Sequence, residues 1–192
     1  MKEIVRLVGV LTAISLVAGV LLAFTNAVTR ERIAVNRGAE TQAALREVLP
    51  EFDNHPAQNT NVVVAAGTEW VFYVARRAGR YAGAAFQAHS AHGYGGTIRL
   101  MIGVGAGGKL GQIRILEQQE TPGLGARILQ EPFQRQFRDR DLARTNWRVR
   151  QDGGDLDAIT GATISSRAVA EAVRTGLAVY AEHAAEIERT GE

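Results

Sequence analysis

The chain contains no cysteine. That excludes disulfides, thiolate-ligated iron–sulfur clusters and any cysteine-linked cofactor. It leaves the compartment open, because a chain without thiols suits oxidising and reducing surroundings alike. Histidine is scarce too, with His55, His89, His92 and His183 the only four. His89 and His92 are three residues apart at a predicted strand end, where no helix face holds them together and no neighbouring carboxylate completes a zinc shell. Ser90 lies between them, but no nucleophile elbow surrounds it, so a hydrolytic triad has no support in sequence. No G-x-G-x-x-G opens a βαβ unit, and there is no internal repeat or low-complexity tract. A basic stripe interleaved with aromatics is also missing, which argues against a nucleic-acid partner. Arg76, Arg77 and Arg80 cluster locally and read as a solvated turn.

Charge is sparse where apolar residues are dense. From Leu7 to Phe24 no residue is charged, and Lys2, Arg6 and Arg30 flank the run with Glu3 alone opposing them. Setting those four aside leaves 19 basic and 19 acidic residues, so the remainder is neutral by count despite a pI of 9.3. About twenty helical residues span roughly 30 Å, the thickness of a bilayer's hydrocarbon core. Residues 1–29 therefore read as one transmembrane anchor. The small residues of "FTNA" suit a signal-peptidase site, but the run exceeds the roughly 7–15 apolar residues of a signal core. Arg30, Arg32 and Arg37 follow the span as Lys2 and Arg6 precede it, so the positive-inside rule sets no orientation. Residues 30–60 read as a helical extension, "AVNRGAETQAALREVLP", broken at Pro50, and then a linker, "EFDNHPAQNTN".

Residues 61–192 read as an α+β domain, a mostly antiparallel sheet with packed helices. "EWVFYVAR" (69–76) and "YAGAAFQAH" (81–89) form strands about an Arg-Ala-Gly-Arg turn. "TIRLMIGVG" (97–105) and "LGQIRILEQQ" (110–119) form a hairpin about "AGGK". Residues 127–138 suggest short helical turns, "NWRVR" (146–150) a short strand, and "QDGGD" a tight turn. The spacing of Ala168, Ala172, Val173, Gly176, Leu177 and Tyr180 predicts an amphipathic helix over 165–188.

Three loops carry the candidate chemistry. Gly93, Gly95 and Gly96 serve either a turn or the close approach of backbone to a flat ligand. In "QQETPGLGAR" (118–127), Pro122 fixes one φ while Gly123 and Gly125 free two others. The loop presents amides and the apolar Leu124, with Glu120 suited either to a hydrogen bond within it or to proton or cation chemistry; a plain connector is the alternative. In "DLDAITGATISSRAVAEAV" (155–173), Asp157, Thr160, Gly161, Ala162 and Thr163 precede the last helix. A helix start gathers unpaired amides and the positive end of the dipole, which favours a phosphate. The competing reading is a simple cap from Thr163, Ser165 or Ser166.

"DAITGAT" fits the pattern D-x-x-[S/T]-G-A-T, the flavinylation signature of FMN-binding subunits, and "ETPGLG" (120–125) is the second hallmark of that family. The closing region "NWRVRQDGGDLDAITGATISSRAVAEAV" resembles RnfG, the G subunit of Rnf electron-transport complexes, and is similar to the C subunit of Na⁺-translocating NADH:quinone reductases. "HGYGGTIRLMIGVG" resembles the stretch preceding the second hallmark, although Gly95-Gly96-Thr97 departs from the small residues or proline of relatives. The resemblance implies covalent FMN on the Thr163 hydroxyl through a phosphodiester, installed from FAD by a dedicated flavin transferase. Thr160 and Asp157 occupy the required hydroxyl and acidic positions, and Leu124, Thr121 and Gly123 become candidates for the ring. It further implies a redox subunit that works with the other membrane and redox subunits of a ferredoxin:NAD-type translocase and is not an enzyme by itself. The anchor would lie in the lipid of the bacterial inner membrane, with the soluble domain periplasmic and Lys2 and Arg6 inside. Gly9, Ala13, Ala18 and Gly19 would let neighbouring helices approach. Two other readings stay open: a non-redox structural subunit, and a stand-alone anchored FMN reductase active without partners.

Overall fold

The computed structural model describes residues 2–191; the side chains of residues 27 and 30–36 lie outside the described residues, and with them part of the 30–60 expectation and the flanking charges Arg30 and Arg32. The first helix, α1, runs Lys2–Val48. Its segment Lys2–Asn26 has a mean hydropathy of 2.6 and is the one helix among the described residues long and apolar enough to cross a membrane. The chain forms two compact units, Met1–Thr41 and Gln42–Glu192.

The second unit is built on five antiparallel strands in sequence order: β1 (Thr60–Ala65), β2 (Thr68–Arg77), β3 (Arg80–Ser90), β4 (Ile98–Gly105) and β5 (Leu110–Glu117). Each strand is joined to the next by a short connection, so the sheet is a meander. A short helix, α2 (Glu131–Arg135), follows and sends Phe133 into the core. The long helix α3 (Thr163–Arg189) lies on one face of the sheet. Its stripe of Ala168, Val169, Ala172, Val173, Leu177 and Tyr180 packs on Phe72, Phe86, Leu100 and Ile102 in the main core. Each fully buried Leu or Phe there contributes roughly 1.5–3 kcal/mol of transfer free energy. The last turn of α1 covers part of the other face, where Ala44, Leu45, Val48 and Leu49 meet Ala75, Ala85 and Met101. Gly103 makes that contact possible, since a Cβ there would stand 2.0 Å from the Val48 carbonyl oxygen.

The α+β layout and the strands β2 to β5 match the sequence expectation, and three departures have physical causes. Strand β1 has no counterpart in the sequence reading; it is a short edge strand whose Val62 and Val64 remain exposed. Asn146–Arg150 is no strand. Val149 forms a single parallel bridge with Leu156, and both are pinned by burial in the absence of a neighbouring strand. A turn of 3-10 helix, Arg150–Asp152, follows at once. Arg76 is not solvated: it is 6% exposed, because a register shift between Ala75 and Arg76 re-aims the strand there. Its guanidinium donates to the carbonyls of Glu188 (2.7 Å) and Thr190 (2.9 Å) at the C-terminal end of α3.

Candidate functional site

The site gathers where α3 begins. Ala162 stands at the N-cap with φ −138° and ψ 43° and supplies no side-chain cap. The hydroxyls that offered a capping alternative are used elsewhere. Ser166 Oγ accepts the Ile159 amide (3.0 Å) and donates to the Ala162 carbonyl (3.0 Å). Ser165 Oγ donates to Glu120 Oε2. Thr163 Oγ1 donates sideways to Gln151 Oε1 at 3.0 Å. The first-turn amides of α3 thus meet no side-chain cap among the described residues, and the positive pole of the helix is open.

Glu120 ties the three candidate loops together. The residue is 4% exposed. Oε1 accepts the Gly95 amide at 3.0 Å while Oε2 accepts Ser165, so the glycine-rich stretch, the 120–125 loop and the first turn of α3 meet on one side chain. A buried carboxylate needs such donors, since leaving them unmade costs several kcal/mol. The loop itself is a tight fold in which the Thr121 carbonyl accepts the amides of Leu124 (3.2 Å) and Ala126 (3.1 Å). At Gly125 a Cβ would come within 2.6 Å of Glu120 Oε2, so nothing larger than glycine fits.

The second and third loops also touch directly. Leu124 Cδ2 lies 3.3 Å from where a Cβ on Gly161 would stand, and Gly161 has φ +79°, a conformation that side chains rarely adopt. Thr121, Gly123, Thr160 and Gly161 are exposed, Ala162 is buried and Thr163 half-buried. Leu124 and Ile164 are each 47% exposed, so apolar surface borders the open helix end; Tyr94, in the neighbouring glycine-rich stretch, is 72% exposed.

Asp157 sits away from the loop contacts. Its carboxylate pairs with Arg150 at 2.7 Å, and Gln136 braces its backbone through both the amide (2.6 Å) and the carbonyl (3.1 Å). Beside it, Arg167 grips Asp152 through two bonds of 2.7 Å. That pairing holds the Asp152 carboxyl below its ordinary range and raises Arg167. Ser90 and His92 do meet, but on a shared acceptor: Glu171 Oε2 receives Ser90 Oγ at 2.9 Å and contacts His92 Nδ1 at 2.8 Å. The serine points to the carboxylate and not to the imidazole, which is not the order a nucleophile requires. His89 stays exposed on β3.

Sequence reasoning missed Arg150, Gln151 and Asp152 as parts of the site, and it read Ser165 as a candidate cap where the structure gives it to Glu120. "QDGGD" signalled only a turn, and nothing in its composition says which distant hydroxyl a glutamine will reach.

Two family models match the chain: one for the FMN-binding domain over residues 93–178 and one for the RnfG N-terminal region over residues 1–48. Together with the fold and the loop cluster, they define an FMN-binding domain behind an N-terminal apolar helix. Among curated proteins, the G subunit of the ion-translocating oxidoreductase complex of Cereibacter sphaeroides is 36% identical over 181 residues, covering 90% of this chain and 82% of its own. Its counterpart of the same name in Pseudomonas aeruginosa is 34% identical over 191 residues, covering 93% and 89%. The chain belongs to the RnfG family, the G subunits of ion-translocating oxidoreductase complexes. The C subunit of the Na⁺-translocating NADH-quinone reductase of Parabacteroides distasonis shares the fold, with a TM-score of 0.53 and 23% identity over 80% of this chain and 85% of that one. NqrC of Shewanella oneidensis does so at a TM-score of 0.52, with 14% identity over 69% of this chain and 70% of that one.

Proposed function

We propose that this protein is the flavin-carrying subunit of an ion-translocating oxidoreductase complex, anchored in the membrane by α1 and holding FMN through a phosphodiester to Thr163. The observation that carries the reading is the accessible Thr163 hydroxyl at an uncapped helix start, inside "DAITGAT" and against "ETPGLG". The residues present fit the group. The open amides of the first turn of α3 suit the single negative charge of a phosphodiester, and the exposed Gly161, which carries no side chain, leaves room beside Thr163. Exposed Leu124, Ile164 and Tyr94 offer apolar surface to a flat ring.

Attachment forms a bond between Thr163 Oγ1 and the flavin-side phosphorus of FAD. The pyrophosphate P–O bond breaks, AMP leaves with the bridging oxygen and its electron pair, and the hydroxyl proton passes to a base of the flavin transferase. When bound, FMN supplies one- and two-electron redox chemistry; the protein supplies position and electrostatics. The Thr163 bond prevents loss of the group from an exposed site. Glu120 fixes the loops on either side of it, and the helix start offsets the phosphate charge.

In this reading the subunit relays electrons in ferredoxin/NAD coupling and contacts the other membrane and redox subunits. The domain lies on the periplasmic side of the inner membrane, and residues 61–192 form the FMN-binding domain proper. Production of the full chain with and without a flavin transferase, followed by intact-mass measurement and in-gel flavin fluorescence, tests attachment. The expected result is an FMN adduct surviving denaturation only with the transferase, and none in Thr163→Ala. A bare polypeptide mass in the wild type with active transferase would overturn the reading.

A further inference from the structure

Three consecutive side chains of the 150–152 turn each grip a different part of the segment around Thr163. Arg150 takes Asp157 at 2.7 Å, Gln151 takes the Thr163 hydroxyl at 3.0 Å, and Asp152 takes Arg167 through two 2.7 Å bonds. Arg167 is four residues beyond Thr163 and therefore on the same face of α3. The turn is anchored from beneath: the Arg150 amide donates to the Leu156 carbonyl at 2.7 Å, the Leu156 amide to the Arg148 carbonyl at 3.1 Å, and the Gly154 amide to the Val149 carbonyl at 3.1 Å. Val149 and Leu156 are each 1% exposed. Gln151 is thus an exposed side chain on a fixed base, directed at one hydroxyl.

We infer that Gln151 is a positioning residue for the attachment reaction: it fixes the rotamer of Thr163 so that the Oγ1 lone pairs face the incoming phosphorus. The inference rests on the reading of Thr163 as the attachment site. Inside a helix a threonine divides between two χ1 wells, because its hydroxyl is free to turn back to a carbonyl of the preceding turn, whereas Thr163 opens α3 and has no helical turn behind it. A hydroxyl turned back that way spends its orientation on the helix. Gln151 Oε1 takes the hydroxyl hydrogen instead and leaves the oxygen lone pairs outward. An amide is not a base, so the proton still departs to the transferase as the Oγ1–P bond forms and AMP leaves. Glutamine suits both stages, since the same side chain carries an acceptor for the hydroxyl and an N–H donor for the anionic ester that replaces it. Glutamate would serve the first stage and repel the second.

The test uses the full chain, purified in detergent from cells without the transferase, then given purified flavin transferase and FAD, with adduct formation timed by intact mass. Misplacing a reacting atom by about 1 Å costs up to roughly 100-fold in rate, and Gln151→Ala is expected to lower kcat for attachment by about tenfold or more. The KM for the acceptor protein and the unfolding temperature should stay at wild-type values. Gln151→Glu, which keeps the length but not the donor, is expected to be slowed as well. An unchanged rate in Gln151→Ala overturns the inference, as does a raised KM at constant kcat, which would make the turn a docking surface. A rate loss that tracks a lowered unfolding temperature overturns it too. Failure of the wild-type chain to gain the adduct would instead overturn the attachment reading, so the two failures are separable.

Discussion

The two ends of α3 are treated oppositely. At the C-terminal end the buried Arg76 guanidinium donates to the carbonyls of Glu188 and Thr190, with Nε adding a 3.1 Å bond to Thr190. A cation from the sheet thereby satisfies the terminal carbonyls and the negative pole together. At the N-terminal end no side chain caps the first turn and no acidic residue lies in it. Ser165 and Ser166 are drawn off to Glu120 and to the Ile159 amide. A helix needs only its own chain to finish it, as the C-terminal end demonstrates. The N-terminal end, which carries Thr163, has no such partner on its first-turn amides among the described residues and meets the chain's own charge only through the Ser165 hydroxyl, which donates to Glu120.

The largest expected effect breaks the finished end. Arg76→Met leaves the part-buried carbonyls of Gly79, Glu188 and Thr190 without this donor and should cost about 1–3 kcal/mol of stability. Thr163→Ala, at a half-buried position with one exposed bond, should cost under about 1 kcal/mol. Urea unfolding of the two variants, followed through Trp70 and Trp147 fluorescence, checks the asymmetry. Equal losses would mean that the open end is as structurally committed as the closed one.

A smaller effect sharpens the contrast by finishing the other end. Ile164 lies in the first turn and is 47% exposed. Ile164→Asp places a negative charge on the positive pole and should stabilise the helix by about 0.3–1 kcal/mol, while competing with a phosphate for the same field. Ile164→Asn, of the same shape without the charge, isolates the electrostatic part. Relative to Ile164→Asn, the Asp variant should unfold at a higher temperature and acquire the flavin adduct more slowly. An Asp variant attached as fast as the Asn variant would remove the helix field from the account of the site.

The sheet hairpins and α3 were legible because their signals are local: alternation about Ala-Gly turns and a 3.6-residue stripe. The site motif was legible as a resemblance and as a helix start. What was not legible depends on distant partners. Arg76 reads as surface because Arg77 and Arg80 stand beside it, and its burial follows from a strand irregularity and from carbonyls 112 and 114 residues away. Val149 looks like a strand residue, yet its partner Leu156 belongs to the same local turn, so no strand forms. Gln151 carries no periodic signal; its role comes from the turn that Arg150 and Asp152 clamp. Glu120 was singled out as a residue able to bond within its loop, but its partners on the 93–96 stretch and on α3 are non-local.

The smallest effect lies between the two ends of α3, about two turns in, where Glu171 gathers His92 and Ser90. The hydrogen bond from His92 does most to hold the Glu171 carboxyl below its ordinary value; partial burial opposes it, and Ser90 adds to the lowering. A depressed carboxyl contributes stability that is present above its unfolded value, about 4.5, and that is lost as pH falls through the lower folded value. The wild type should therefore be more stable than Glu171→Gln above that pH, with the gap closing on acidification. The gap should be small, since His92 is 75% exposed and Glu171 42% exposed, and water screens such a pair. Thermal unfolding of both chains from about pH 6 to about pH 3 reads the gap directly. A gap that stays constant over that range would show that Glu171 acts by packing alone, and the charge asymmetry of α3 would then reside entirely in its two ends.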